Sequence, residues 1–144
     1  MRAESRAIAG TRRRAALATE LAIVVVVLIF LTLICVDFGR VAYHHIAVTN
    51  ATRAGAEYAI TNPSGSDQST WRAQIQATAR AELTNQTDCD PNQLTTEVSV
   101  ATDADGLLRV RVTASYTGFR TLVSWPGIPD APTLRSSVMM PAIR

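Results

Sequence analysis

A single carboxylate, Glu20, stands at the mouth of a run of residues, 21–36, that carries no charge, and Arg12, Arg13 and Arg14 stand just ahead of it. Residues 21–36 make about 24 Å of helix, and with the uncharged residues from Ala15 to Thr19 the span approaches the roughly 30 Å hydrocarbon core of a bilayer. One membrane crossing is implied. An acidic side chain at the centre of such a span costs roughly 2.5 to 3.5 kcal/mol on insertion scales, so Glu20 needs a compensating partner.

Charge gives the crossing a direction. Of the 14 basic residues, all Arg, five precede residue 16, against one of the 12 acids, so the remainder carries 9 basic and 11 acidic side chains, net −2, although the whole chain is formally +2. A basic leader ahead of a mildly acidic body argues against nucleic-acid binding by the folded part. It argues for an anchor with its amino terminus in the cytoplasm and everything after about residue 40 outside. At 144 residues the chain has room for one small domain beside that anchor. A secretory signal peptide fits poorly, because the run is long, Glu20 interrupts its start and no clean small-x-small site succeeds it. A lipoprotein box fails because Ile34 precedes Cys35. An unprocessed signal anchor stays open.

No Pro interrupts residues 16–61, which predicts one helix about 68 Å long, membrane-buried in its first half and amphipathic in its second. Past the membrane Ala47, Ala51, Ala54 and Tyr58 form a small-residue seam that lets another helix or sheet approach. Residues 62–67 break the helix, and Ser66 or Asp67 can cap the next one. A second helix is expected over residues 69–84, with Trp71, Ile75, Ala79 and Leu83 on one face. The period then becomes two, in residues 96–101 and 108–116, and the alternation of Leu134, Ser136, Val138 and Met140 adds a third strand. Between the last two, residues 119–132 are too rich in Pro and Gly for a central strand. The expected fold is α+β: a long transmembrane helix, a second helix and a three-stranded antiparallel sheet. Its parts are a leader over 1–15, the long helix over 16–61 and a small extracytoplasmic domain over 62–144.

Parity constrains the hairpin. For two apolar faces to coincide, paired residue numbers must sum to an even value, since a slip of one flips every side chain. A two-residue Asp105-Gly106 turn fails. A three-residue loop over 104–106 passes and sets Val100 opposite Val110 and Val98 opposite Val112, with Arg109 and Arg111 on the other face.

Catalytic signatures are thin. His44 and His45 are adjacent on a helix and point about 100° apart, where helical metal pairs prefer a spacing of four. Asp103-x-Asp105-Gly106 lacks the remaining ligands of a calcium loop. Asp37-Phe38-Gly39 lacks the other kinase motifs. Asn50-Ala51-Thr52 and Asn85-Gln86-Thr87 fit glycosylation sequons of a kind common by chance. Cys89, between Asp88 and Asp90, reads as a loop cysteine and not a nucleophile. No catalytic residue, metal site or cofactor is expected, and the chain reads as a non-enzyme.

Three stretches together resemble a known family: the Arg-rich leader with Glu20; Asp37, Phe38, Gly39 and Arg40 at the membrane exit; and residues 50–59, Asn-Ala-Thr-Arg-Ala-Gly-Ala-Glu-Tyr-Ala. They look like the TadE-like minor pilins or pseudopilins of tight-adherence (Tad/Flp) systems. The leader is similar to a type IV prepilin signal, in which a cut between Ala15 and Ala16, directly after Arg14, makes Glu20 the fifth mature residue. In such signals that Glu is thought to pair with the amino terminus of a neighbouring subunit. The position before the cut, usually Gly in the family, is Ala15 here, which keeps it small. The resemblance implies an inner-membrane structural subunit that is cleaved by a prepilin peptidase. It also implies partnership with other pilin or pseudopilin subunits and the inner-membrane assembly platform, in the lipid bilayer, and residence in the pilus or at its base. The alternative is an uncut, membrane-anchored binding module whose sheet grips a partner outside the cell.

Overall fold

The computed structural model describes residues 2–62, 67–85, 89–102 and 107–141, with side chains from Ala15 onward. In order, the elements are helix α1 (Arg2–Thr61), helix α2 (Gln68–Thr84), a single 3-10 turn (Pro91–Gln93) and strands β1 (Leu94–Thr102), β2 (Leu108–Tyr116) and β3 (Leu134–Pro141). This is the α+β arrangement that the periodicities predict. The chain divides into two compact units, residues 1–38 and residues 39–144.

The first unit is helix alone. From Ala15 onward α1 is long and apolar enough to cross a membrane, and most of its large side chains there stand exposed, Leu21 at 64% and Phe30 at 54% among them. The two hydroxyls in this stretch bond inward to the backbone, Thr19 Oγ1 donating to Ala15 O at 3.0 Å and Thr32 Oγ1 to Leu28 O at 2.8 Å. Each hydroxyl is thereby satisfied without leaving the helix, which suits an apolar solvent.

In the second unit, residues 39–61 of α1 pack with α2 on one face of the sheet, whose strand order is β1-β2-β3, antiparallel throughout. The central strand carries the burial: Val110, Val112, Ala114 and Tyr116 are all at 2% exposure or less. Register obeys the parity argument, with Val98 opposite Val112 and Val100 opposite Val110. Val100 is nevertheless 42% exposed, because β1 is an edge strand and its last residues lie beyond the helical cover. The breaker residues 63–66, including Ser66, the predicted turn residues 104–106, Asp103, Asp88 and the last two residues of the second sequon lie outside the described residues.

Helix α2 buries Trp71, Ile75, Ala79 and Leu83. Gly55 lets it approach α1 closely: a Cβ at that position would meet Ile75 Cγ2 at 3.3 Å and Ala79 Cβ at 3.5 Å. Trp71 Nε1 donates to Asn62 O at 2.6 Å, which ties the start of α2 to the end of α1. Arg80, further along α2, donates to Leu94 O at 3.3 Å and holds the first residue of β1.

Asp67 caps α2. Its carboxylate accepts the Ser69 amide at 3.0 Å and the Ser69 hydroxyl at 2.6 Å, together with the amide and hydroxyl of Thr70. These bonds, the Ser69 hydroxyl first, hold the Asp67 carboxyl well below its ordinary value of 3.8. A depressed carboxyl stabilises the fold above its unfolded pKa and loses that contribution as pH falls through the folded value. Asp67→Ala is therefore expected to lower the thermal midpoint of the full-length protein in detergent at neutral pH. The difference from wild type should narrow only below pH 3.8. A gap unchanged across that acid range would show that the charge contributes nothing.

Candidate functional site

The residues singled out from sequence lie along α1, and the structure treats them unequally. Ala15, Ala16 and Glu20 are exposed on the helix. Arg14 is helical in its backbone and precedes the described side chains. Glu20 is the one acid between Ala15 and Val36, and in this helix nothing of the chain covers it.

At the end of the apolar run, four neighbouring residues take four different roles. Asp37 is buried at 5% exposure and Phe38 stands 73% exposed. Gly39 has no heavy atom within 4 Å of where a Cβ would be. Arg40, within the second unit, reaches the segment after β2: its Nη1 donates to Arg120 O at 3.2 Å and its guanidinium lies 5.4 Å from the Phe119 ring centroid.

Of the small-residue seam, Ala47 and Ala51 are buried at 2% and 0%. They share a core cluster with Leu83, Leu94, Ala114 and Tyr116. Ala54 and Tyr58 are half-buried, and Tyr58 Oη bonds Gln74 Oε1 at 2.7 Å. Val48, Thr52, Ala56 and Ala59 are buried as well, at 2% exposure or less. Spacing alone pointed to too narrow a stripe. The buried face is wide because a sheet and a helix cover it together. What this packing leaves exposed on α1 past residue 37 is the opposite side, where Phe38, Ala42 and Ile46 succeed each other at a spacing of four.

His44, weighed in the sequence only as a poor metal ligand, is a core residue. It is 4% exposed, stacked on Tyr116 at 6.1 Å and edge-on to Phe119 at 5.2 Å. Its Nδ1 lies 2.8 Å from Arg40 O. A carbonyl only accepts, so Nδ1 carries the proton. The ring thus works as a core aromatic that joins α1 to the end of β2. Burial raises the Tyr116 phenol above its ordinary value, and the phenol oxygen accepts the Asp90 amide at 3.1 Å. Gly118 makes room for that ring, since a Cβ there would fall 2.6 Å from Tyr116 Cζ.

Cys89 is in neither a helix nor a strand, but it is 8% exposed and belongs to the same core cluster. Its place in the core with Tyr116 could not be read from its acidic neighbours. Among the described residues no group of three or more His, Cys, Asp or Glu is placed to hold a metal ion. Among the described residues the arrangement offers helix faces and loop surfaces, not converging reactive groups.

A family model described as TadE-like protein matches residues 15–57, in agreement with the resemblance seen in the sequence and consistent with a TadE-like protein of Tad systems. The match begins at the residue preceding the expected cut and ends at Glu57, near the end of α1; α2 and the sheet lie beyond it. Neither the curated proteins nor the solved structures contain a match to the chain.

Proposed function

We propose that this TadE-like chain is a minor pilin or pseudopilin of a Tad-type pilus, held in the inner membrane by α1 with its amino terminus inside and its α+β unit outside. The observation that carries the reading is the family match over 15–57. That segment spans both the apolar half of α1 and the half that is built into the second unit. One helix then serves as anchor and as the scaffold on which the sheet is assembled.

In this reading a prepilin peptidase cuts between Ala15 and Ala16, the basic leader stays in the cytoplasm, and the new amino group meets Glu20 of a neighbouring subunit. Other pilin or pseudopilin subunits and the inner-membrane platform are the partners. The exposed apolar run of α1 is the surface they would meet.

Mass spectrometry of the membrane-assembled protein tests this. In cells with an active prepilin peptidase the mature amino terminus is expected at Ala16. A chain still beginning at Met1 or Arg2 would overturn processing and favour an uncut anchor carrying a binding module.

A further inference from the structure

The sheet of the second unit ends on two strands, β1 and β3, and its ladder fixes which backbone groups each of them turns outward. Thr117 N donates to Gln93 O at 3.2 Å, and this pair continues the register that sets Leu94 opposite Tyr116. Bonded and non-bonded pairs alternate along an antiparallel ladder. The odd-numbered residues of β1 therefore bond β2, and Thr96, Val98 and Val100 turn their N–H and C=O groups to the open edge. Leu94 O, which accepts from Arg80 at 3.3 Å, has the same polarity. On β2 the odd-numbered residues serve β1 and the even-numbered ones serve β3, where Val112 faces Val138. The outward groups of β3 are then those of Arg135, Ser137 and Met139.

Neither edge is blunted along its middle. β1 pairs without a bulge from Leu94 to Thr102, and the one Pro in either strand is Pro141, the last residue of β3. Such edges are templates for a further strand. Arg80 occupies the Leu94 end of β1, but from Thr96 to Val98 the strand borders a groove of about 750 Å³ whose other wall includes Gln68, Arg72 and Gln76 of α2. Val100, at the same edge, is 42% exposed.

Charge selects the strand that fits. β1 carries one charged side chain, Glu97, and β3 carries one, Arg135; within the subunit they reach each other across β2 at 3.7 Å. Two β1 edges or two β3 edges would bring like charges together, whereas β1 against β3 brings opposite ones. Parity then fixes the direction. Inward side chains are even-numbered on both strands, but the outward backbone groups are even-numbered on β1 and odd-numbered on β3. Opposed residues of an antiparallel pair share both face and bonding state, so that direction would turn one of the two apolar faces to the wrong side. In a parallel pair a bonding residue stands opposite a non-bonding one, and the faces coincide.

We propose that copies of this chain join edge to edge, β1 of one against β3 of the next, in parallel, to form a continuous sheet. In the register that repeats the one inside the subunit, Val98 lies beside Val138 of the next copy and Val100 beside Met140, while Glu97 stands one diagonal step from Arg135. The inward side chains of the incoming strand enter the groove beside α2. A contact between unlike edges does not close on a pair: each copy added presents one β1 edge and one β3 edge, so the product is a row. The inference goes beyond the proposed function, since it concerns the second unit alone and holds whether or not the chain is cut after Ala15.

Cysteine oxidation tests the junction. Ser99 and Met139 are exposed and both pair with Arg111. Within one subunit they are therefore two strand spacings apart, about 9.6 Å, beyond the roughly 7 Å that a disulfide spans. Full-length protein carrying Ser99→Cys and Met139→Cys in a Cys35→Ala background, oxidised in membranes, is expected to give a ladder of dimers, trimers and longer species. Each single variant should stay monomeric. Adding Glu97→Arg should cut the cross-linked fraction about two- to five-fold, the scale of an exposed ion pair. Adding Arg135→Glu to that chain should restore it, which also shows that the reversed chain folds. A dimer from Ser99→Cys alone would overturn the junction in favour of like edges, and a ladder indifferent to the charge reversal would overturn it as well. Monomer from the double-cysteine variant, in protein whose mature amino terminus is Ala16, would overturn the junction and leave the pilin reading standing.

Discussion

Tyr116→Ala is expected to destabilise the α+β unit by about 3 to 5 kcal/mol, the range for emptying a large aromatic site in a core. Domains of this kind are stable by only about 5 to 15 kcal/mol, so a large share of the total is at stake. The ring is 1% exposed, stacks on His44 and fills the space that Gly118 leaves. It is also where β2, β3 and the start of β1 meet, since Tyr116 pairs with both Leu94 and Leu134. Tyr116→Phe keeps the ring and removes only the acceptor of the Asp90 amide, which should cost about 0.5 to 1.5 kcal/mol. Unfolding of the full-length protein in detergent, tracked by near-ultraviolet circular dichroism, separates the two. Far-ultraviolet signal should change less, because the apolar half of α1 stays helical in the micelle. Equal stability of the Ala and Phe variants would mean that the ring is not a keystone.

Glu20→Ala is expected to damage assembly while leaving membrane insertion intact or improved. Removing the carboxylate relieves a cost of roughly 2.5 to 3.5 kcal/mol if the residue reaches the centre of the span, and less nearer the boundary. In the proposed assembly the same carboxylate is paired with the amino group of a neighbouring processed subunit. Its loss would leave that charge in an apolar setting with no partner, the costly case for a buried pair. Recovery of Tad-system partners by pull-down, at matched membrane levels of wild type and variant, is expected to fall several-fold. Equal recovery would make Glu20 a tolerated boundary residue.

Sequence and structure agree where the physics is local. The apolar run, the i+4 stripe of α2 and the period-two strands depend on which side chains recur at which interval, and that is written in the chain. The register of β1 and β2 was legible for the same reason: once both strands must turn the same face inward, parity admits few pairings, and Val100 meets Val110. The cap was legible as Ser66 or Asp67, and the structure shows Asp67 accepting from Ser69 and Thr70.

Burial was less legible, because it depends on partners distant in sequence. The i+4 seam identified Ala47 and Ala51, but a sheet and a helix arriving together also cover Val48, Thr52 and Ala56. Nothing near His44 announces that Tyr116 and Phe119 will close over it, and nothing near Cys89 announces its place in the same core. The sequence by itself determined the membrane-length helix, the α+β elements, the strand register and the resemblance of residues 15–57 to a TadE-like family. Only the tertiary structure decided which side of α1 is consumed by its own domain. It alone brought Phe119 and Arg120 to Arg40, because such contacts join positions some 80 apart and arise from packing, not from any local period.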